Sequence, residues 1–118
     1  MRENVILDKS KAFAVRIVRL YRYLREDKRE YVLSKQLLRS GTSIGANVRE
    51  SVYVQSKADF YSKLHIALKE AGETAYWLEL IAEAGYLSEK HFQSIYIECK
   101  GLTRLLTAIT KHKNDTQE

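Results

Sequence analysis

The sequence predicts an all-α fold, an antiparallel up-down-up-down bundle of four helices. Apolar residues recur at helical spacing along four long stretches of a chain that contains no proline. The connections between these stretches are short, which forces consecutive helices to run in opposite directions. No Asn-Gly hairpin turn and no sustained alternation of polar and apolar residues predicts a β-strand.

Length and composition predict one domain that spans residues 1–118, with a tail from about residue 114 that we expect to be disordered. The single cysteine, Cys99, cannot form a disulfide within the chain, which favours a reducing compartment. No segment has the pattern of a signal peptide or of a membrane span. We therefore expect a cytoplasmic protein without a membrane partner.

The first predicted helix begins at Asp8, a candidate N-cap, and ends near Arg25. Its apolar stripe consists of Phe13, Ile17, Leu20, Tyr21 and Leu24. The positive charge of the chain lies mainly in this part of the sequence. Residues 1–59 hold 13 Lys and Arg against 7 Asp and Glu, whereas residues 60–118 hold 7 against 8.

The other three helices are predicted from apolar spacing and capping residues. Ser56 opens the third helix in a capping box that Asp59 closes, Gly85 ends that helix, and Ser88 caps the fourth. The apolar stripe of the second helix consists of Leu33, Leu37, Ile44, Val48 and Val52. That of the third consists of Phe60, Leu64, Ala67, Ala71, Ala75, Leu78 and Ala82, and that of the fourth of Phe92, Ile95, Tyr96, Cys99, Leu102, Leu106 and Ile109.

The stretch "RSGTSIGANVRES", residues 39–51, places Gly41 and Gly45 on the apolar face of the second helix. Glycine in a helix interior costs about 1 kcal/mol relative to alanine, so two of them predict close approach by a neighbouring helix. The alternative is a phosphate-binding loop, which requires a preceding strand and a lysine after the second glycine, and neither is present. Beside the glycines, Ser43, Asn47 and Glu50 form a polar stripe.

Two stretches, "SKQLLRSGTSIGANVRES" and "SKADFYSKLHIALKEAGETAYWLELIAEAGYL", resemble the four-helix-bundle family of 23S ribosomal RNA intervening-sequence proteins. The resemblance covers about residues 8–110. The resemblance rests on three features: the start of helix three at Ser56, the turn at Gly85 to Leu87, and a motif in helix two. The motif residues are Leu38, Arg39, Ser43, Ile44, Asn47 and Glu50. The residue after the motif is commonly Gly or Ala and is Ser51 here. The resemblance implies the fold and a homo-oligomer, a ring of five copies.

No catalytic or metal-binding pattern is apparent. The three histidines, His65, His91 and His112, are far apart, and no two of them share a helix face at metal-binding spacing. Cys99 belongs to an apolar stripe, which is typical of a buried thiol. The acidic run of helix three (Glu70, Glu73, Glu79 and Glu83) is interpreted as a solvated face. We expect no enzyme activity, no cofactor and no metal.

Two functions remain open. The first is RNA binding through a basic helix one, because clustered basic side chains can pair with phosphates in a salt-sensitive and largely sequence-independent way. The residues are Arg16, Arg19, Arg22, Arg25, Lys28 and Arg29. The alternative is that these side chains only solvate the helix and that the protein is an interaction scaffold for another protein, with no direct nucleic-acid role.

Helix three is apolar on nearly every side, with Ile66, Trp77 and Leu80 on one flank and Tyr61, Leu68 and Tyr76 on the other. Because a four-helix monomer leaves one side of each helix in water, this surplus predicts a homo-oligomer. The residues predicted for helix packing or for an oligomer interface are Gly41, Ser43, Gly45, Asn47, Glu50, Tyr61, Tyr76 and Trp77.

Overall fold

In a computed structural model of the chain, the backbone is described for residues 2–116 and the side chains for residues 5–111. This part contains four helices and no strand: α1 (Arg2–Glu26), α2 (Leu33–Ser51), α3 (Lys57–Glu83) and α4 (Glu89–Thr116). Helices α1 and α3 each pack against both α2 and α4, in an elongated bundle of 49 × 22 × 21 Å. The predicted fold class is confirmed. The disordered tail stays a prediction, since all of its side chains lie outside the described ones.

Helix α1 begins at Arg2, so the predicted N-cap at Asp8 was wrong. Ile6 is buried in the core, and it continues the apolar stripe of Phe13 and Ile17 toward the N-terminus. Burial of this side chain favours a helix that begins before Ile6. Asp8 therefore lies inside the helix as an exposed residue.

Glu30, which sequence reasoning missed, caps the start of α2. Its carboxylate accepts the backbone N–H groups of Val32, Leu33 and Ser34 at 3.1, 3.0 and 2.7 Å. The hydroxyl of Ser34 donates in return to the Glu30 carbonyl at 2.8 Å. Burial alone raises the pKa of the Glu30 carboxyl, but the hydrogen bonds outweigh burial and hold this pKa below its usual value.

The predicted boundaries of α3 and the predicted start of α4 are confirmed. The Ser56 hydroxyl accepts the backbone N–H of Asp59 at 3.1 Å, and the Ser88 hydroxyl accepts that of His91 at 3.2 Å. Gly85 has a φ of 91°, which a residue with a side chain rarely adopts. Its N–H and that of Tyr86 donate to carbonyls of the last turn of α3, which completes a Schellman cap.

The core contains most of the residues that the periodicity predicts. Val52 is an exception, because α2 ends at Ser51 and leaves Val52 52% exposed. Ile81 is a core residue that the predicted stripe of helix three omitted. The buried apolar residues are Ile6, Phe13, Ile17, Leu24, Leu37, Ile44, Val48, Leu64, Ala67, Ala71, Ala75, Leu78, Ile81, Ile95, Cys99, Leu102, Leu106 and Ile109.

The two glycines of α2 lie against α1. A Cβ atom at Gly41 would lie 2.8 Å from both Cγ1 and Cγ2 of Ile17, and a Cβ atom at Gly45 would lie 3.2 Å from the Ser10 carbonyl oxygen. The first distance is shorter than non-bonded carbon atoms tolerate. The stretch lies within α2, which confirms the predicted helix, and the absence of side chains at the two glycines lets α1 and α2 approach closely.

The substitution Gly41→Ala is expected to lower the free energy of unfolding. Overpacking of about 1–3 kcal/mol against the fully buried Ile17 exceeds the roughly 1 kcal/mol gained in helix propensity. The effect of Gly45→Ala should be milder, and Gly45→Leu should be worse than Gly45→Ala. The control is Gly101→Ala on α4, where the atom nearest to an added Cβ is Nη2 of Arg104, at 4.0 Å, and the substitution should stabilise the fold. Urea unfolding that ranks Gly41→Ala beside Gly101→Ala would contradict the close contact.

Removal of the Glu30 cap is expected to cost about 0.5–2 kcal/mol near neutral pH. Because the folded-state pKa is lowered, this stabilisation is present above the unfolded-state pKa of about 4.3 and is lost as the pH falls through the folded-state value. Urea unfolding of Glu30→Ala should therefore differ from wild type near neutrality and less at strongly acidic pH. Asp27→Ala, an exposed carboxylate in the same connection, serves as control. An equal effect of Glu30→Ala at both pH values would argue against the cap.

Candidate nucleic-acid interface

The inward residues of α1 determine which residues face outward. Because Phe13, Ile17 and Leu24 are buried, the opposite side of the helix is in water. We define the α1 surface as the exposed residues Lys11, Val15, Val18, Arg19 and Arg22 of this side, together with Arg29 in the connection that follows. It is basic, with two exposed valines among the cations, although the exposed carboxylates Asp8 and Glu26 lie on the same side of the helix.

The six basic residues predicted for RNA binding differ in their surroundings. The side chains of Arg19, Arg22 and Arg29 are exposed, and none of these guanidinium groups has a hydrogen bond or ion pair with another described residue. Arg16 differs, since it forms an ion pair with Glu98 of α4 and donates to the Ser94 hydroxyl at 3.1 Å. Its guanidinium group is therefore engaged in joining α1 to α4.

Arg25 and Lys28 lie against aromatic rings. The Arg25 guanidinium donates to the Tyr21 hydroxyl at 2.9 Å, and it lies 5.6 Å from the ring centre of Tyr21 and 5.4 Å from that of Tyr31. The Lys28 ammonium lies 5.9 Å from the ring centre of Tyr23. These distances suit cation–π contacts, which fix both cations at the end of α1.

A groove of about 300 Å³ opens between α1 and α4 beside the α1 surface. We call it the Tyr23 groove. Sequence reasoning missed it, because its two walls come from residues far apart in the chain. The lining residues are Arg16, Arg19, Leu20 and Tyr23 of α1, His91 and Ile95 of α4, and Leu87 of the connection before α4.

The polar stripe of α2 bonds mainly within its own helix. Asn47 donates from its side chain to the Ser43 carbonyl at 2.8 Å, and the Ser43 hydroxyl donates to the Arg39 carbonyl at 2.5 Å. Glu50 alone reaches the next helix, since Lys63 of α3 donates to its carboxylate at 2.8 Å. The role of these residues between chains stays a prediction.

The prediction that the acidic run of α3 is only solvated was wrong for most of its members. Arg39 forms ion pairs with Glu70, at 3.3 Å, and with Glu73. Hydrogen bonds from Trp77 and Arg39 lower the pKa of Glu73. Glu79 accepts the Tyr96 hydroxyl at 2.7 Å, so α3 uses this carboxylate to hold α4.

The outer face of α3 leaves apolar groups in water. Tyr76 is 56% exposed, with its ring edge against Trp77 at 5.1 Å between ring centres, and Ile66 is 38% exposed. The Tyr61 ring is half-buried and lies 5.1 Å from that of Phe60. The apolar surplus of α3 is thus covered in part by the chain's own neighbours, and its exposed remainder centres on Tyr76 and Ile66.

No three His, Cys, Asp or Glu side chains come together as a metal-binding group in the part of the chain that the structure describes, and His112 lies outside the described side chains. Cys99 is buried with its Sγ 3.4 Å from the Ala71 carbonyl oxygen, and burial raises the pKa of its thiol to about 12. Over the described residues, none of the helices is long and apolar enough to cross a membrane.

The family model of the 23S rRNA-intervening sequence proteins matches residues 2–108. The chain is also similar to a protein of unknown function of the S23 ribosomal protein family from Bacteroides thetaiotaomicron, whose crystal structure is known. The two are 53% identical, the match covers 94% of this chain and 99% of that chain, and the TM-score is 0.93. No curated protein matches the chain. The family match confirms the resemblance, and the chain belongs to the 23S rRNA-intervening sequence proteins.

Proposed function

We propose that this chain is a non-enzymatic, homo-oligomeric cytoplasmic protein that binds RNA through the α1 surface. The observation that carries the proposal is that Arg19, Arg22 and Arg29 are exposed and have no ionic partner among the described residues. A guanidinium group without an internal partner can pair with a phosphate through two parallel hydrogen bonds. The family name, which refers to 23S rRNA, supports RNA as the source of that phosphate.

The chemistry of the surface favours contacts with the RNA backbone. Its polar side chains are cations that project outward from α1 and from the connection after it. From there they can reach the phosphates of a duplex but not its base edges. Such contacts position the RNA and do not distinguish sequences strongly. The proposed activity is therefore RNA binding with weak sequence preference.

The outer face of α3 supports self-assembly. Tyr76 is exposed one turn after Gly72, a glycine inside a helix with nothing within 4 Å of the position of a Cβ atom, and Ile66 is exposed on the other flank of α3. Glycine there costs about 1 kcal/mol relative to alanine, and no contact within the described chain compensates. A second copy packed against α3 would cover these groups. We propose five copies in a ring, as the family resemblance suggests.

Reversal of the unpaired cations should abolish RNA binding. We expect the triple variant Arg19→Glu, Arg22→Glu, Arg29→Glu to bind a labelled RNA about a thousandfold more weakly or worse, because each lost charge-assisted contact is worth about 1.5–3 kcal/mol. Fluorescence anisotropy gives the affinity, and circular dichroism checks that the helices are intact.

The matched control is Lys35→Glu, Arg49→Glu, Lys57→Glu, an equal change of net charge at exposed cations without described partners outside the α1 surface. This control should retain most of the affinity. Equal losses in the two triple variants would reject the α1 surface as the binding site. If wild type binds no RNA at all, the proposal fails, and the interaction scaffold for another protein remains.

Light scattering should give the wild-type protein a mass of about five times the 13.7 kDa of one chain. The variant Tyr76→Glu should shift this mass toward the monomer, because it would bury a charge in the proposed contact. Tyr53→Glu, at a tyrosine that is 77% exposed in the connection between α2 and α3, is the control and should leave the mass unchanged. A wild-type monomer would refute assembly.

A further inference from the structure

We infer that the RNA bound at the α1 surface is single-stranded and that the Tyr23 groove holds one of its unpaired bases. This inference rests on the RNA binding proposed above. It concerns the kind of RNA, which the charges of the α1 surface alone do not specify.

The walls of the Tyr23 groove suit an aromatic ring. Leu20, Leu87 and Ile95 supply apolar walls, and Tyr23, whose ring forms one side, is 38% exposed as a residue. Unpaired bases are commonly recognised by stacking on an aromatic side chain or on the plane of a guanidinium group. The volume of about 300 Å³ is at the lower end of the range for ligand sites, which suits one ring system better than a larger ligand.

Polar groups at the groove can contact the edges of a base. The Ser88 hydroxyl lies 3.0 Å from Nδ1 of His91, so the other ring nitrogen, Nε2, is the one left for a ligand. Arg19 lines the same groove and has no ionic partner among the described residues. Both can form hydrogen bonds with the nitrogen and oxygen atoms that an unpaired base exposes.

The charges beside the groove favour a nucleic acid over an apolar peptide. Arg22 lies on the next turn of α1 from Arg19, and the Lys28 ammonium lies 5.9 Å from the Tyr23 ring centre. Of the acidic side chains near the groove, Glu98 pairs with Arg16, and Glu26 and Asp27 are exposed one turn after Tyr23, where Arg22, Lys28 and Arg29 outnumber them. A strand can therefore place a base in the groove and its flanking phosphates on these cations.

A duplex cannot use the groove in this way. Its bases are paired and stacked inside the helix, and its outer surface offers phosphates and sugars. Duplex RNA would then contact only the cations of the α1 surface, whereas single-stranded RNA would gain the stacked base as well. The expected consequence is a preference for single-stranded RNA that depends on Tyr23.

The test compares a short unstructured oligoribonucleotide, the same strand annealed to its complement, and an abasic strand of equal length, by fluorescence anisotropy on the full-length protein. Wild type should bind the intact single strand most tightly. Tyr23→Ala should weaken that binding about fivefold to a hundredfold and leave duplex affinity unchanged. Tyr23→Phe keeps the ring and should behave as wild type.

The abasic strand provides a readout that does not depend on any variant, and wild type should bind it about as weakly as Tyr23→Ala binds the intact strand. Equal affinity for single strand and duplex, with no effect of Tyr23→Ala, would overturn the assignment of the Tyr23 groove as a base-binding site. It would leave RNA binding by the α1 surface in place. Equal loss of both affinities in Tyr23→Ala would also overturn it, since Tyr23 would then act only on the fold. No binding of any RNA would overturn the proposed function itself.

Discussion

The contact of Ile17 with Gly41 sets the position of α1, and the rest of the candidate site depends on it. Cγ1 and Cγ2 of Ile17 occupy space that any side chain at Gly41 would need. The contact fixes how close α1 and α2 lie and how α1 is rotated about its axis. Arg19 and Arg22 follow Ile17 by two and five residues, about 200° and 140° around the helix, and so they point into water.

The arginines of this chain serve two different purposes. Arg16 and Arg39 each connect two helices through carboxylates, Arg16 from α1 to α4 and Arg39 from α2 to α3. Arg19 and Arg22 have the same chemistry and no such partner among the described residues. An arginine that is already paired with a carboxylate of the same chain contributes little to an anion site. The candidate interface therefore contains fewer basic residues than the composition of helix one indicates.

Much of the fold could be predicted because its signals are local. Helical periodicity identified most of the core, and Ser56, Gly85 and Ser88 marked helix ends through contacts within a few residues. The glycines of α2 indicated close packing, although they could not identify Ile17 as the partner. The N-terminus of α1 was misplaced because Asp8 looks like a cap, whereas burial of the more distant Ile6 decides where the helix begins.

The candidate site was less predictable because it depends on partners far apart in sequence. Arg16 pairs with Glu98, and Tyr23 and His91 line one groove, only because α1 packs against α4. Periodicity places each residue on a face of its own helix and does not say which cations of two helices neutralise carboxylates. That information comes only from the assembled bundle.

The central claim is that unpaired arginines of the α1 surface bind RNA phosphates. The most direct test is the dependence of RNA affinity on salt concentration for wild type, Arg22→Gln and Lys35→Gln. We expect the logarithm of the affinity to fall linearly with the logarithm of salt concentration, and the slope to decrease in magnitude by about 0.7–1 in Arg22→Gln but not in Lys35→Gln. An affinity that does not change with salt, or an unchanged slope in Arg22→Gln, would contradict the claim.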